Sequence, residues 1–84
     1  MTIAARKQRE KEEMRRLILD AAKSIFLEKG FHSTSLRNIA EKIQYSPGTI
    51  YLYFKDKDEI FHALHEEGFA KMLQMMAPLQ HVQD

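Results

Sequence analysis

Ser46 and Pro47 follow within about two residues of a segment, Leu36 to Ile43, whose apolar side chains recur at helical spacing. Leu36, Ile39, Ala40 and Ile43 fall on one face of about two helical turns. Serine is a strong helix N-cap, and proline at the first helical position loses no hydrogen bond that the helix needs, so the pair predicts a new helix at once. Ile50 and Phe54, four residues apart, give that helix an apolar face of its own. Two short helices, each apolar on one side and joined by so few residues, must meet at a sharp angle to bury both faces. That is a helix-turn-helix, expected over about residues 35–54.

The flanking segments are also helical in pattern, and no period-two stretch is long enough to predict a strand. In the first helix Met14, Leu17, Ile18, Ala21, Ala22, Ile25 and Phe26 form one stripe, and Gly30 supplies the stop. Thr34 and Ser35 offer side-chain oxygens to cap the second helix. Asp56 is expected to cap a fourth, with Glu59 reaching back to it. Ile60, Phe61, Leu64, Gly68, Met72 and Met76 then repeat on one side until Pro78, which predicts a helix of about 20 residues, roughly 30 Å long. Phe26, Phe31, Phe54 and Phe61 are assigned to the core. The expected fold is all-α: a homeodomain-like three-helix helix-turn-helix domain followed by the start of a long fourth helix.

A chain of 84 residues holds one small core at most. It has no cysteine for a disulfide or thiolate metal site, no apolar run near the roughly 20 residues that span a bilayer, and no secretory signal, so a cytoplasmic location without membrane contact is expected. His62 and His65 lie one turn apart beside Glu66, but two ligands on one helix do not make a metal site, and neither metal nor cofactor is expected. There is no glycine-rich phosphate loop and no nucleophile paired with a base, so no catalysis is expected either. The net charge of +1 conceals an asymmetry: residues 1–16 carry +3, residues 30–57 carry +2 and residues 58–84 carry −4. A domain that presents one end to a polyanion and turns the other away has this polarity, as does an ordinary solvated surface.

At about 100° per residue the faces of the third helix can be assigned. With Ile50 inward, Phe54 lies beside it, Tyr51 and Tyr53 fall on the flanks, and Gly48 and Leu52 point away. The outward face thus begins with a residue that has no side chain, which lets the backbone approach another surface closely. The two tyrosines have two readings, as core aromatics or as rings that send their hydroxyls to phosphates on either side of a DNA groove.

These residues also carry a resemblance. Gly30-Phe31-His32-Ser33-Thr34-Ser35, then Ile39-Ala40, then Ser-Pro-Gly-Thr-Ile-Tyr-Leu-Tyr-Phe from Ser46 to Phe54, then Lys57, are spaced as in the TetR-like repressors. The chain resembles that family over about residues 11–71. Position by position, the resemblance implies phosphate contacts at Thr34 and Ser35 and at Lys57, and base readout by Arg37, which is otherwise simply solvated. It implies a recognition-helix tip at Ser46, Pro47, Gly48 and Thr49, and backbone clamps at Tyr51 and Tyr53. Leu52 is placed to touch a thymine methyl. It further implies a homodimer on double-stranded DNA, at a near-palindromic operator. A small-molecule effector would release this repressor by binding a C-terminal helical domain beyond Asp84 that also dimerises. Residues 1–10 would then be a basic flexible arm, residues 11–71 the DNA-binding domain and residues 72–84 the start of the connection.

Two positions depart from the family pattern. Ile43-Gln44-Tyr45 stands where Ala-Gly-Val is usual, so Gln44 either bears a left-handed conformation or the turn is built differently. Pro47 replaces a polar or basic side chain and with it one DNA contact. Two other function classes fit parts of the chain. A helical protein-interaction module would dock through Phe69, Met72, Leu73, Met75 and Met76, and a membrane-surface binder would use the basic arm, although Ile3, Ala4, Ala5 and Met14 make a poor apolar face.

Overall fold

The computed structural model describes residues 2–69 and 71. Among the described residues, α-helices run in chain order as α1 (Ile3–Lys29), α2 (Leu36–Ile43), α3 (Pro47–Tyr51) and α4 (Lys57–Glu66). No strand occurs among the described residues.

The longest element, α1, starts earlier than its apolar stripe requires. Thr2 caps it, its hydroxyl accepting from the Ala5 amide at 3.1 Å, so the basic stretch expected as an arm over residues 1–10 forms the helix's first third. That third is exposed throughout, and the buried stripe begins at Ile18 and continues through Leu19, Ala22, Ile25 and Phe26. Leu17, expected in the stripe, is 41% exposed and lines an open groove with Lys42, Ile43 and Gln44. The helix ends at Gly30, whose φ of 88° lies in the region that only glycine occupies without strain.

Leu36, Ile39 and Ala40 of α2 close against α1, α3 packs on α2 with Ile50 in the same core, and Ile60, Ala63 and Leu64 of α4 join that core where α4 meets α1. Six of these core side chains, Ile18, Leu19, Ile39, Ile50, Ile60 and Leu64, are sealed from solvent. Each contributes about 1.5–3 kcal/mol of transfer free energy. Phe26 and Phe54 are buried as expected, while Phe31 and Phe61 are half-buried against the core. Phe26, Phe31 and Phe61 meet at centroid distances of 5.3–6.1 Å, and Phe69 adds an edge contact to Phe61 at 5.9 Å.

The helix expected from Asp56 to Pro78 is interrupted among the described residues: α4 stops at Glu66, and the backbone is helical again at Phe69 and Lys71. α4 is capped by Asp56, whose carboxylate accepts from the Glu59 amide at 2.9 Å, but Glu59 reaches back to the Lys55 amide instead of to Asp56. The helix ends at Glu66, and Gly68 takes φ +96°, which breaks the hydrogen-bond ladder. A glycine on an apolar stripe reads as a buried-face residue, yet without a Cβ it is also the residue best able to turn the chain. Met72, Leu73, Met75 and Met76, and the expected connection over residues 72–84, lie outside the described residues.

Candidate nucleic-acid interface

The turn between α2 and α3 settles the open question at Gln44. Its φ of 64° and ψ of 40° put a non-glycine residue in the left-handed conformation. Its amide donates to the Glu41 carbonyl at 3.2 Å, and the Tyr45 amide donates to the Ala40 carbonyl at 2.9 Å. This is a Schellman closure: two orphan carbonyls at the end of α2 are satisfied, which offsets the strain of about 1 kcal/mol at Gln44. Tyr45 and Ser46 are exposed, and Pro47 opens α3 as the sequence predicts.

Ser46 holds the N-cap position without bonding a free amide through its side chain; its hydroxyl instead lies 3.4 Å from that of Thr49. Gly48 is exposed, has no positive φ, and an added Cβ would meet nothing nearer than the Ser46 hydroxyl at 3.7 Å. Neither backbone conformation nor packing within the domain therefore calls for glycine here. Tyr51 is 57% and Leu52 81% exposed, so neither belongs to the core. Tyr53 is half-buried against the core, the ring-inward placement expected for both tyrosines. The Arg15 guanidinium lies 5.5 Å from the centre of the Phe54 ring, and Gln8, Lys11, Glu12 and Arg15 line a groove with Leu52 and Tyr53. The first half of α1 thus flanks the end of α3.

At the start of α2, Ser35 is the N-cap. Its hydroxyl accepts from the Asn38 amide at 3.1 Å and the Asn38 side chain accepts from the Ser35 amide at 2.9 Å. Asn38 stands at the third helical position, where glutamate or glutamine is usual, and that Ser-x-x-Asn spacing was the signal available in the sequence for this reciprocal cap. The Ser35 hydroxyl keeps its proton for a further acceptor, and Arg37, in the same first turn of α2, is exposed.

Two residues expected at the same surface are engaged inward. Thr34 is 3% exposed, and its hydroxyl donates to the Gly30 carbonyl at 2.7 Å, tying off the end of α1. Lys57 Nζ donates to the carbonyls of Phe31 at 2.7 Å, Thr34 at 2.9 Å and His32 at 3.3 Å. The Lys57 engagement is not legible from spacing, because it depends on how the 30–34 loop folds over the first turn of α4, whereas the Thr34 bond closes within that loop.

On the far side, Arg16 makes a two-pronged ion pair with Glu67, at 2.9 and 3.0 Å, and also reaches Asp20 at 3.1 Å. That hydrogen-bonded guanidinium holds the Glu67 carboxyl below the usual glutamate range. His62 Nε2 lies 3.5 Å from Glu66. Among the described residues no cluster of three or more histidines or acidic residues could hold a metal ion, and no helix is long and apolar enough to cross a membrane.

The helix-turn-helix and the elements around it match the family model described as bacterial regulatory proteins, tetR family, over residues 18–64. Among similar proteins, an uncharacterized HTH-type transcriptional regulator, YfiR, of Bacillus subtilis is 35% identical over 66 residues, 79% of this chain and 32% of the relative. The fatty acid metabolism regulator protein of the same organism is 37% identical over 59 residues, 70% of this chain and 30% of its own. The HTH-type transcriptional regulator UidR of Escherichia coli is 42% identical over 57 residues, 68% of this chain and 29% of its own. The chain spans about a third of the length of these relatives. With a family model covering more than half of it, and a helix-turn-helix at the centre of that match, the chain belongs to the tetR family of bacterial regulatory proteins.

Proposed function

We propose that this chain is the DNA-reading domain of a cytoplasmic transcriptional repressor. The tip of α3 enters the major groove, where Ser46, Pro47, Gly48 and Thr49 meet the DNA and Leu52 meets a thymine methyl. Ser35, Tyr51 and Tyr53 hold the phosphate backbone to either side, and Arg37 supplies base readout through its guanidinium. The observation that carries this reading is Gly48. It is an exposed glycine on the outward face of a recognition helix, and nothing inside the domain requires it, so the requirement for a missing side chain comes from the surface it approaches.

One recognition helix this short reads few base pairs. Selectivity therefore calls for a homodimer with two half-sites about 34–36 Å apart on a near-palindromic operator. In the relatives the matched segment is about a third of the length or less, which leaves room for a dimerising and effector-binding part. Release is then an effector-driven change in the spacing of the two reading domains.

The test is selection of bound sequences from random duplex DNA with the full-length protein, followed by affinity measurements against salt. A palindromic motif and a steep fall of affinity with salt are expected. No enriched motif, with binding indifferent to salt, would overturn the proposal.

A further inference from the structure

We propose that the groove between the first half of α1 and the end of α3 holds a phosphate of the DNA backbone, bound by the guanidinium of Arg15. The inference deepens the DNA-reading function proposed above and rests on it. Arg15 and Arg16 are neighbours in α1 with opposite employment. The Arg16 guanidinium is taken up by Glu67 at 2.9 and 3.0 Å and by Asp20 at 3.1 Å. Arg15 is exposed and, among the described residues, forms no hydrogen bond or ion pair; its guanidinium lies 5.5 Å from the centre of the Phe54 ring. The attraction to the ring fixes where the charge sits but gives its N–H donors no acceptor oxygen.

The two sides of Arg15 differ in charge. On one, Gln8, Lys11, Glu12 and Arg15 face Leu52 and Tyr53 across the groove. Lys11 stands about one helical turn before Arg15, so the pair shares a face of α1 and outweighs Glu12 by a single positive charge. On the other side Arg15 borders Tyr53, Phe54, Glu59, His62 and Glu66, where two carboxylates repel an anion. A phosphate is therefore admitted to the first groove and turned away from the second. The wall opposite Arg15 faces outward, since Leu52 is 81% exposed, so a backbone strand beside α3 reaches the groove without displacing core residues. A guanidinium already held against a ring loses little freedom on binding, and its planar fork matches two phosphate oxygens. The contact comes from α1, outside the helix-turn-helix, and so adds affinity without base preference.

The experiment uses the full-length protein and a duplex carrying its selected motif, with affinity measured against salt. Arg15→Met keeps an unbranched stem over Phe54 and removes the charge and its donors. Expected are affinity lower on the order of tenfold and a slope of log affinity against log salt shallower by about one. Arg15→Gln, which exposes no new apolar side chain, is expected to give the same two changes. Arg15→Lys keeps the charge without the fork, so the slope is retained while affinity falls less. Lys23→Met removes a charge from the same helix beside Leu64, Gly68 and Phe69, and is expected to leave the slope unchanged. Replacing backbone phosphates one at a time by neutral methylphosphonate should find a position that weakens binding by the unaltered protein but not by Arg15→Met or Arg15→Gln. Lower affinity with an unchanged slope would make Arg15 a cover for Phe54 and overturn the inference, as would an equally shallow slope in Lys23→Met or the absence of any such phosphate. If the unaltered protein selects no sequence, the DNA-reading proposal and the phosphate site fall together; if it selects one and binds it with a slope that ignores Arg15, the site alone falls.

Discussion

Gly48 and Gln44 are a glycine where the backbone does not ask for one and a missing glycine where it does. At Gly48 the helical backbone and open surroundings accept a methyl group, and alanine is the better helix former by about 1 kcal/mol. Gly48→Ala is therefore expected to leave thermal stability equal or higher while lowering DNA affinity on the order of tenfold, because its methyl holds the helix tip away from the groove. Undiminished affinity would remove the argument for close approach. At Gln44 the reverse holds. Gln44→Gly relieves a left-handed conformation at φ 64° and is expected to stabilise the domain by about 1 kcal/mol in denaturant unfolding. A loss of stability would show that the Gln44 side chain contributes more than its backbone costs. The sequence exposes both positions, since a departure from the usual turn residue and a glycine facing outward are visible in the order of residues. It does not reveal that Thr34 and Lys57 turn inward, because their partners are backbone carbonyls, which no residue type announces.

Among the elements, α4 is the one whose periodicity runs across a break in the helix. Apolar repetition from Ile60 onward describes which side faces the core, but not whether the backbone stays helical, and Gly68 ends it there. Just before that break, Arg16 of α1 grips Glu67, fastening the end of α4 to the reading domain. Both side chains keep more than a third of their surface in solvent, so the pair is worth at most about 1 kcal/mol. Its pH dependence has a definite sign. The Glu67 carboxyl is held below its ordinary value in the folded state by the Arg16 hydrogen bonds. Its contribution is therefore complete above the ordinary glutamate pKa and is lost as pH falls through the lowered folded one. Glu67→Gln is expected to destabilise the domain slightly at neutral pH and to differ less from the unaltered protein as the solution is acidified. A difference that grows on acidification would contradict the assignment.

For the whole molecule, the charge asymmetry gains a location. The basic first half of α1 is largely exposed, and Lys11 and Arg15 on it border the groove at Leu52 and Tyr53. A backbone strand lying beside the recognition helix would pass this groove. Lys11→Ala is expected to weaken binding to all DNA sequences alike and to make the salt slope shallower by about one, whereas Arg37→Ala is expected to relax preference at one base position. A salt slope that ignores Lys11 would separate α1 from the DNA. Helix order, the sharp turn after Ile43, the inward Ile50 and Phe54 and the outward Gly48 all follow from the order of residues, because periodicity and capping act over one or two turns of chain. The occupation of Lys57, the burial of Thr34, the bond from Arg16 to Glu67 and the end of α4 at Gly68 were decided by the tertiary fold. They depend on groups far apart in the chain, or on a choice between helical and turning backbone that glycine leaves open until its neighbours pack.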